Sequence, residues 1–216
     1  MSNVGLVIFD LDGTLVDSEK LCNQAFLDLI PELDLTVDQL VCRFRGSKLS
    51  VIMEGLSRLI GRPLPSDFEA DYRIRVTELF ESELRPMPNA DEVLTRLDVP
   101  YCIASSGPPS KIHKALEVSG LGRYFDNNVF SSYDVRSWKP EPWLFLHAAH
   151  IMGFLPESCC VVEDSLPGIQ GANAAGMRAF WYNPQGAEEL GLDVITIKDL
   201  LGLTDYLESK TLNTQE

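Results

Sequence analysis

The sequence has no long apolar run and few basic residues. No apolar stretch approaches the roughly 20 residues that a transmembrane helix needs, so we expect no membrane span and no membrane partner. The first apolar stretch ends at Asp10 and lacks the basic start and cleavage site of a secretory signal, so we expect a cytoplasmic protein. Basic residues number 18 against 32 acidic ones, and the resulting net charge of −14 disfavours nucleic acid as a partner.

Cysteine and histidine patterns typical of metal or disulfide frameworks are also missing. The five cysteines are odd in number and form no CxxC pair. Cys102, Cys159 and Cys160 lie in apolar runs, so we expect buried free thiols. The three histidines have no zinc-ligand spacing with acidic or thiol partners.

Short apolar runs alternate with helical patterns along the 216 residues, which predicts a parallel sheet covered by helices. The expected strands are residues 6–9, 101–104, 129–131, 160–162, 179–182 and, more weakly, 194–197. The expected helices between them are 110–118, capped by Ser110 and ending at Gly120, then 143–152, and 167–175, ending at Gly176.

Residues 17–85 differ from the rest, because they show helical periodicity at 21–30, 49–60 and 68–80 and no convincing strand. We therefore expect an α/β core formed by residues 1–16 and 86–216, with residues 17–85 inserted as a helical cap. The connections near 16–18 and 84–88 are the expected hinges. Such an insert stands over the carboxyl ends of the strands, where open α/β sheets bind ligands.

Asp10 and Asp12 follow the first expected strand directly, and Gly13 then permits a tight turn. Carboxylates at i and i+2 of extended chain point the same way and repel each other unless a cation compensates. Mg²⁺ suits such a pair when substrate phosphate oxygens and water complete its ligands. We expect Asp10 to attack phosphorus as a nucleophile and Asp12 to act as the general acid and base.

The calcium-binding EF-hand loop is the motif most easily confused with the one that starts at Asp10. Counted from Asp10, its fifth, sixth and twelfth positions require an oxygen ligand, glycine and glutamate. This chain has Thr14, Leu15 and Leu21 there, and a strand precedes the motif in place of a helix. We therefore exclude that interpretation.

Residues 10–19, Asp-Leu-Asp-Gly-Thr followed by Leu-Val-Asp-Ser-Glu, resemble the opening of haloacid dehalogenase-type phosphatases, in particular the β-phosphoglucomutase-like group. The resemblance implies a doubly wound parallel-sheet core with an inserted helical cap. It also implies three further motifs in a fixed order. A family phosphatase would carry a phospho-aspartate on Asp10.

The second and third motifs occur in that order. Ser105 at the end of the second strand matches the family's phosphate-binding hydroxyl, and Ser106 and Gly107 follow it as expected substrate contacts. Ser-Ser-Gly by itself is only typical of a turn. Lys139 precedes Pro140, which disfavours helix and places the lysine on a loop. Its charge there would neutralise the nucleophile and the transferred phosphoryl group, whereas an isolated lysine is usually a solvated surface residue.

The fourth motif is Glu163-Asp164 after an apolar strand. The resemblance implies that Mg²⁺, or another divalent ion such as Mn²⁺, is bound by the Asp10 carboxylate, the Asp12 backbone carbonyl and Asp164. Glu163 is expected to bind the metal directly or through its neighbours. Acidic residues at a helix N-terminus are also favoured by the helix dipole, and the two interpretations are compatible.

Arg45, Gly46 and Lys48 lie in the insert, where the family often places a substrate-contacting loop. Gly46 marks a loop between helices, and two solvated helix-end cations are the alternative. Several stretches, including residues 132–140, are similar to family phosphatases that act on 6-phosphogluconate. We expect a sugar or sugar-acid phosphate as the small-molecule substrate, with Arg45 and Lys48 near its carboxylate, and a monomeric enzyme.

Two alternatives remain. Phosphosugar mutases of the family have a histidine three residues after the position of Glu19, where this chain has Cys22. That difference disfavours a mutase. A non-catalytic binding protein on the same fold is disfavoured by the complete set of motif residues, which are Asp10, Asp12, Ser105, Lys139 and Asp164.

Overall fold

The apolar runs form six parallel strands in one sheet. The structure is a computed structural model that describes residues 4–186 and 190–212. Within these ranges the strands are β1 (Leu6–Phe9), β2 (Tyr101–Ser105), β3 (Val129–Ser131), β4 (Cys159–Glu163), β5 (Arg178–Tyr182) and β6 (Ile195–Ile197). All six expected strands are present, and β1 and β3 have the predicted bounds.

Ten α-helices surround the sheet in the described ranges. They are α1 (Glu19–Leu29), α2 (Val37–Phe44), α3 (Leu49–Ile60), α4 (Phe68–Glu83), α5 (Ala90–Arg96), α6 (Pro109–Ser119), α7 (Ser132–Val135), α8 (Trp143–Met152), α9 (Leu166–Ala174) and α10 (Leu201–Leu212). The pattern predicted α1, α3, α4, α6, α8 and α9 and missed the other four. None of the helices in the described residues is long and apolar enough to cross a membrane.

The strand order is β3-β2-β1-β4-β5-β6, so the sheet is doubly wound as expected. Successive β1 side chains enter two different apolar clusters, because strand residues alternate between the faces of a sheet. Val7 and Phe9 face α5, α6 and α10 and join the cluster that continues into the insert. Leu6 and Ile8 pack against α8 and α9. Both faces are covered, which is why the strands are apolar throughout.

The sheet order reverses between β1 and β4, which pair directly in register from Leu6 with Cys159 to Phe9 with Val162. In a doubly wound sheet such a reversal opens a crevice at the carboxyl ends of the strands. The two acidic motifs, after β1 and after β4, therefore lie on opposite sides of that crevice.

Two sequence signals were expected at the ends of α6, and one of them is present. Gly120 ends α6 in the left-handed conformation, with φ of 73°, as predicted. The expectation that Ser110 caps α6 was wrong. The helix begins at Pro109 and its N-cap is Pro108, because proline at the first helical position has a preset φ and no N–H that needs a partner.

Residues 17–85, all of them described, contain α1 to α4 and no strand of the sheet. Within the insert α1 packs on α2 and α4. The two connections to the core run side by side. The backbone N–H of Asp17 donates to the carbonyl of Arg85 at 3.0 Å, and that of Met87 donates to the carbonyl of Leu15 at 2.8 Å.

The insert has its own aromatic centre around Phe26, whose ring lies 4.3 Å from Tyr72 and 6.5 Å from Phe68 between centroids. Phe26 is 1% exposed. We expect Phe26→Ala to lower the free energy of unfolding by about 3–5 kcal/mol, because it removes a buried ring and leaves a cavity.

Urea unfolding measures this change. Leu59→Ala, at an exposed position of α3, is the control and should change stability by less than about 1 kcal/mol. Equal losses in the two variants would contradict the packing described for the insert.

Candidate active site

Gly13 allows the loop after β4, which holds Asp164, to approach the turn after β1 closely. Gly13 has φ of 85°, which favours glycine. A Cβ added at Gly13 would lie 2.6 Å from Oδ2 of Asp164. The glycine is therefore needed both for the turn after β1 and for the close approach of the loop after β4.

Lys139 connects the two acidic motifs. Its ammonium donates to Oδ1 of Asp10 and, at 2.7 Å, to Oε1 of Glu163. All three side chains are buried. The other oxygen of Glu163 accepts from the backbone N–H and the hydroxyl of Ser165 at 2.6 and 2.8 Å. Both oxygens of Glu163 are thus engaged, which favours a role in positioning Lys139 over direct metal binding.

Glycine also shapes the wall behind Glu163. A Cβ at Gly168, in the first turn of α9, would lie 1.9 Å from Cδ of Glu163. The helix therefore approaches the carboxylate more closely than any larger residue allows. The buried Gly171 and Ala172 of the same helix also fit the close packing of α9 on the sheet.

Burial raises the pKa of Asp10 from 3.8 to about 8, although Lys139 opposes the shift and the charges of Glu163 and Asp12 add to it. Burial, followed by the charges of Glu163, Glu19 and Asp10, also raises the pKa of Asp164 well above its ordinary value. Asp164 has weak compensation: the Thr14 hydroxyl lies 3.4 Å from Oδ1, and Arg45 Nε lies 3.7 Å from Oδ2. Two buried carboxylates thus share a site whose cations, Lys139 and Arg45, do not offset the effect of burial on the two pKa values.

Asp12 has different surroundings. Its Oδ1 accepts from the hydroxyl of Ser18 and from the ammonium of Lys111, each at 2.6 Å. Burial alone would raise its pKa, but Lys111 and Ser18 hold it below the ordinary value. Lys111 was missed by the sequence analysis. The available signal was its place in the first turn of the helix that follows the Ser105 motif, because that turn faces the carboxyl ends of the strands.

The hydroxyl of Ser105 does not face the cavity as expected from the motif. Ser105 is fully buried at the end of β2, and its Oγ accepts the backbone N–H of Gly107 at 3.0 Å. Ser106 and Gly107 line the cavity, whereas Ser105 does not. In this conformation Ser105 shapes the turn that presents the other two.

The loop between α2 and α3 brings the insert onto the core. Arg45 places Nε 3.7 Å from Oδ2 of Asp164 in the core, and within the insert it donates from Nε to Glu19 Oε2 at 3.0 Å. Gly46 has φ of 71°, and a Cβ there would lie 2.9 Å from the Ser165 side chain. Lys48 places its ammonium 3.5 Å from the centre of the Trp138 ring.

These groups enclose a cavity of about 160 Å³ between insert and core. It contains every predicted site residue except Ser105. Residues that the sequence analysis did not select also line it, among them Ser18, Tyr72, Arg73, Lys111 and Tyr133. Five acidic and five basic side chains line the cavity, although the whole chain has 32 acidic and 18 basic residues. The acidic excess of the chain is therefore absent from the cavity.

The donor set fits a magnesium ion. No three His, Cys, Asp or Glu side chains within the described ranges form a metal-binding cluster. Mg²⁺ does not require one, since it is usually held by one or two carboxylates with water and substrate phosphate oxygens. Asp10 and Asp164 provide two carboxylates whose pKa values are raised mainly by burial, with neighbouring carboxylates adding to the shift. A divalent cation beside them would favour their ionised forms.

Comparison with known proteins agrees with this geometry. Residues 4–176 match the family model for haloacid dehalogenase-like hydrolases. The chain belongs to the haloacid dehalogenase-like hydrolase family. This confirms both the resemblance seen in the motifs and the predicted fold class.

Two curated relatives of this family member are phosphatases of Escherichia coli K12. The chain is 38% identical to 6-phosphogluconate phosphatase over 185 residues, 84% of either protein. It is 32% identical to fructose-1-phosphate phosphatase over 176 residues, 80% of this chain and 93% of the other. A crystal structure of a haloacid dehalogenase-like protein of unknown function from Agrobacterium tumefaciens superimposes with a TM-score of 0.82 at 28% identity, covering 97% of this chain and 100% of that one. The family and its phosphatase members identify the chain as a phosphoric monoester hydrolase.

The charge on Asp10 gives a prediction about stability and pH. With its pKa raised to about 8, Asp10 stays protonated in the fold between about pH 4 and pH 8, while the unfolded chain ionises it. Its contribution to the free energy of unfolding is therefore fully present below about pH 4 and is lost as pH rises towards 8. Asp10→Asn has no such loss.

We expect the stability of Asp10→Asn relative to the unchanged chain to rise steadily from about pH 5 to about pH 8 in chelator-treated buffer. Urea unfolding at each pH measures the difference. A difference that does not vary with pH would show that Asp10 is ionised throughout.

Proposed function

We propose that this chain is a magnesium-dependent phosphatase of sugar or sugar-acid phosphates, such as 6-phosphogluconate, that works through a phospho-aspartate on Asp10. The observation that carries the proposal is the buried contact of Lys139 with Asp10 and Glu163 beside Asp164, at the floor of the cavity. A nucleophilic carboxylate, a fixed cation and a second buried carboxylate are the groups that phosphoryl transfer to aspartate requires.

In the first step, a carboxylate oxygen of Asp10 forms a bond to phosphorus while the ester P–O bond breaks. For this step Asp12 has to carry the proton that it takes from water in the second step of the preceding turnover, against the contacts with Lys111 and Ser18 that favour its ionised form. It gives that proton to the leaving oxygen, so the sugar departs as a neutral alcohol. Lys139 stays beside the phosphorylated carboxylate and offsets negative charge on the phosphoryl oxygens. Ser106, which lines the cavity directly after β2, is placed to contact the same oxygens.

In the second step, water attacks phosphorus of the acyl phosphate, and Asp12 takes its proton. The P–O bond to Asp10 breaks, inorganic phosphate leaves and the carboxylate is regenerated. The contacts of Asp12 with Lys111 and Ser18 favour its ionised form, which is the base needed here. When bound to Asp10, Asp164 and the carbonyl of Asp12, Mg²⁺ supplies positive charge to the transferring phosphoryl group.

The substrate class is supported by the relatives, which are named for phosphorylated sugars or sugar acids. We also propose that residues 17–85 act as a cap that excludes water from the cavity, since Arg45, Gly46 and Lys48 all contact or face the core. The enzyme would act on this small metabolite as a cytoplasmic monomer, without nucleic acid or membrane. The net charge of −14 agrees with that choice of partner.

Cys22 argues against the mutase alternative, because it lines the cavity at the position where mutases have histidine. Burial raises the pKa of the Cys22 thiol, so it stays protonated at neutral pH. A mutase needs a group there that exchanges protons readily, and this thiol does not. Incubation with a bisphosphorylated sugar should give free phosphate and no isomerised product.

The decisive variant for the covalent step is Asp10→Asn. We expect it to abolish phosphate release, because the amide cannot attack phosphorus, while the folded content of the protein is unchanged. Release of inorganic phosphate from a metabolite panel that includes 6-phosphogluconate, with and without Mg²⁺, is the measurement. Asp17→Asn is the matched control, since Asp17 is exposed and outside the cavity. Activity of Asp10→Asn equal to that of the control would refute the phospho-aspartate.

The metal is tested at Asp164. Chelation should stop turnover, and Asp164→Asn should raise the Mg²⁺ concentration for half-maximal activity by about tenfold or more, because it removes a charged ligand. Mg²⁺ should also raise the unfolding temperature of the unchanged protein but not of Asp164→Asn. Full activity in excess chelator, or an unchanged Mg²⁺ requirement in the variant, would contradict this site.

A further inference from the structure

The five cationic side chains that line the cavity differ in whether they pair with one of its five carboxylates. Three of the five cations contact carboxylates that also line the cavity: Arg45 with Glu19, Lys111 with Asp12, and Lys139 with Asp10 and Glu163. Lys48 and Arg73 do not. Among the described residues, no carboxylate lies within ion-pair distance of Lys48, and Arg73 pairs only with Glu69, which is outside the cavity wall.

These two cations are held next to each other by aromatic residues of the core. Lys48 lies over the Trp138 ring, with 3.5 Å from ammonium to ring centre. Arg73 donates from Nη2 to the hydroxyl of Tyr133 at 3.1 Å. The two rings meet edge to face, 5.4 Å apart. The cations come from the loop before α3 and from α4, so two parts of the insert converge on one loop of the core.

This pair lies away from the phosphoryl-transfer residues. Tyr133 follows β3, which is two strands from β1, and Asp10 follows β1. At the usual spacing of neighbouring strands, the separation across the sheet is about 10 Å. The acidic residues of the cavity cluster at the β1 and β4 side, whereas the Lys48–Arg73 side has none. One small molecule with a phosphate at Asp10 and an anionic group about 10 Å away can therefore reach both places.

We infer that Lys48 and Arg73, positioned by Trp138 and Tyr133, form a distal anion subsite that selects a phosphorylated sugar acid over a neutral sugar phosphate. A carboxylate at the far end of the sugar chain fills it. Arginine pairs with carboxylate through two N–H groups, and lysine adds a point charge. The assignment moves the distal contact from Arg45 to Arg73, because the carboxylate partners of Arg45 line the cavity, whereas Glu69, the partner of Arg73, does not.

The inference rests on the proposed function and is tested with two substrates that differ at one carbon. In 6-phosphogluconate, C1 is a carboxylate, and in glucitol 6-phosphate it is a hydroxymethyl group. We expect the unchanged enzyme to have the higher kcat/KM on the acid. Arg73→Gln and Lys48→Gln should each lower kcat/KM on the acid by about tenfold or more, the size expected for a lost charged hydrogen bond, and lower it far less on the polyol.

Arg75→Gln is the matched control. Arg75 lies two residues further along α4, pairs with Asp28 and Glu78, and does not line the cavity. It should leave the ratio of the two kcat/KM values unchanged. The subsite is refuted if the Arg73 and Lys48 variants lower kcat/KM equally on both substrates. It is also refuted if Arg75→Gln changes the ratio of the two kcat/KM values as they do.

Binding separates this inference from the proposed function. In an Asp10→Asn background, which does not turn over, calorimetry should show 6-phosphogluconate binding at least about tenfold more tightly than glucitol 6-phosphate, with the difference lost on adding Arg73→Gln. Equal affinities overturn the subsite even where phosphate release confirms the phosphatase. Absence of phosphate release from every phosphate ester, with the affinity difference intact, overturns the phosphatase and retains the subsite.

Discussion

The contact of one ammonium group with two carboxylates holds the catalytic end of this molecule together. Lys139 lies between Asp10 and Glu163, at the ends of neighbouring strands, where burial makes any unpaired charge costly. Glu163 is in turn fixed by Ser165 and by the close approach of Gly168. The doubly wound sheet has to bring β1 beside β4 for this contact to exist, and the reversal of strand order at that point provides it.

Charge is balanced locally rather than over the whole chain. The protein is strongly acidic, yet its cavity has equal numbers of acidic and basic side chains. Burial nevertheless raises the pKa values of Asp10, Asp164 and Glu19. A divalent cation beside Asp10 and Asp164 would favour their ionised forms. The net charge of the chain disfavours polyanionic partners, whereas the proposed substrate is one small anion.

The sequence predicted the sheet well because parallel strands buried on both faces are read directly as apolar runs. The motifs selected Asp10 and Asp164 because each follows an apolar run. They selected Lys139 because it lies on a loop directly before a proline. Lys111 and Arg73 were not found, since helical residues are brought to the cavity by the crossing of α6 and α4 over the strand ends, and no short motif records that crossing. Ser105 was selected by its motif, but its hydroxyl accepts a hydrogen bond within the turn after β2 and does not face the cavity.

The side-by-side connections of the insert have a consequence for how the protein can be altered. The chain leaves the core at residue 17 and returns at residue 85 through two segments joined by backbone hydrogen bonds, so the ends of the insert are adjacent. A replacement unit needs only two neighbouring termini to be joined there. We expect that helical inserts of other origin can be exchanged at this junction, provided that they keep the contact of Ser18 with Asp12.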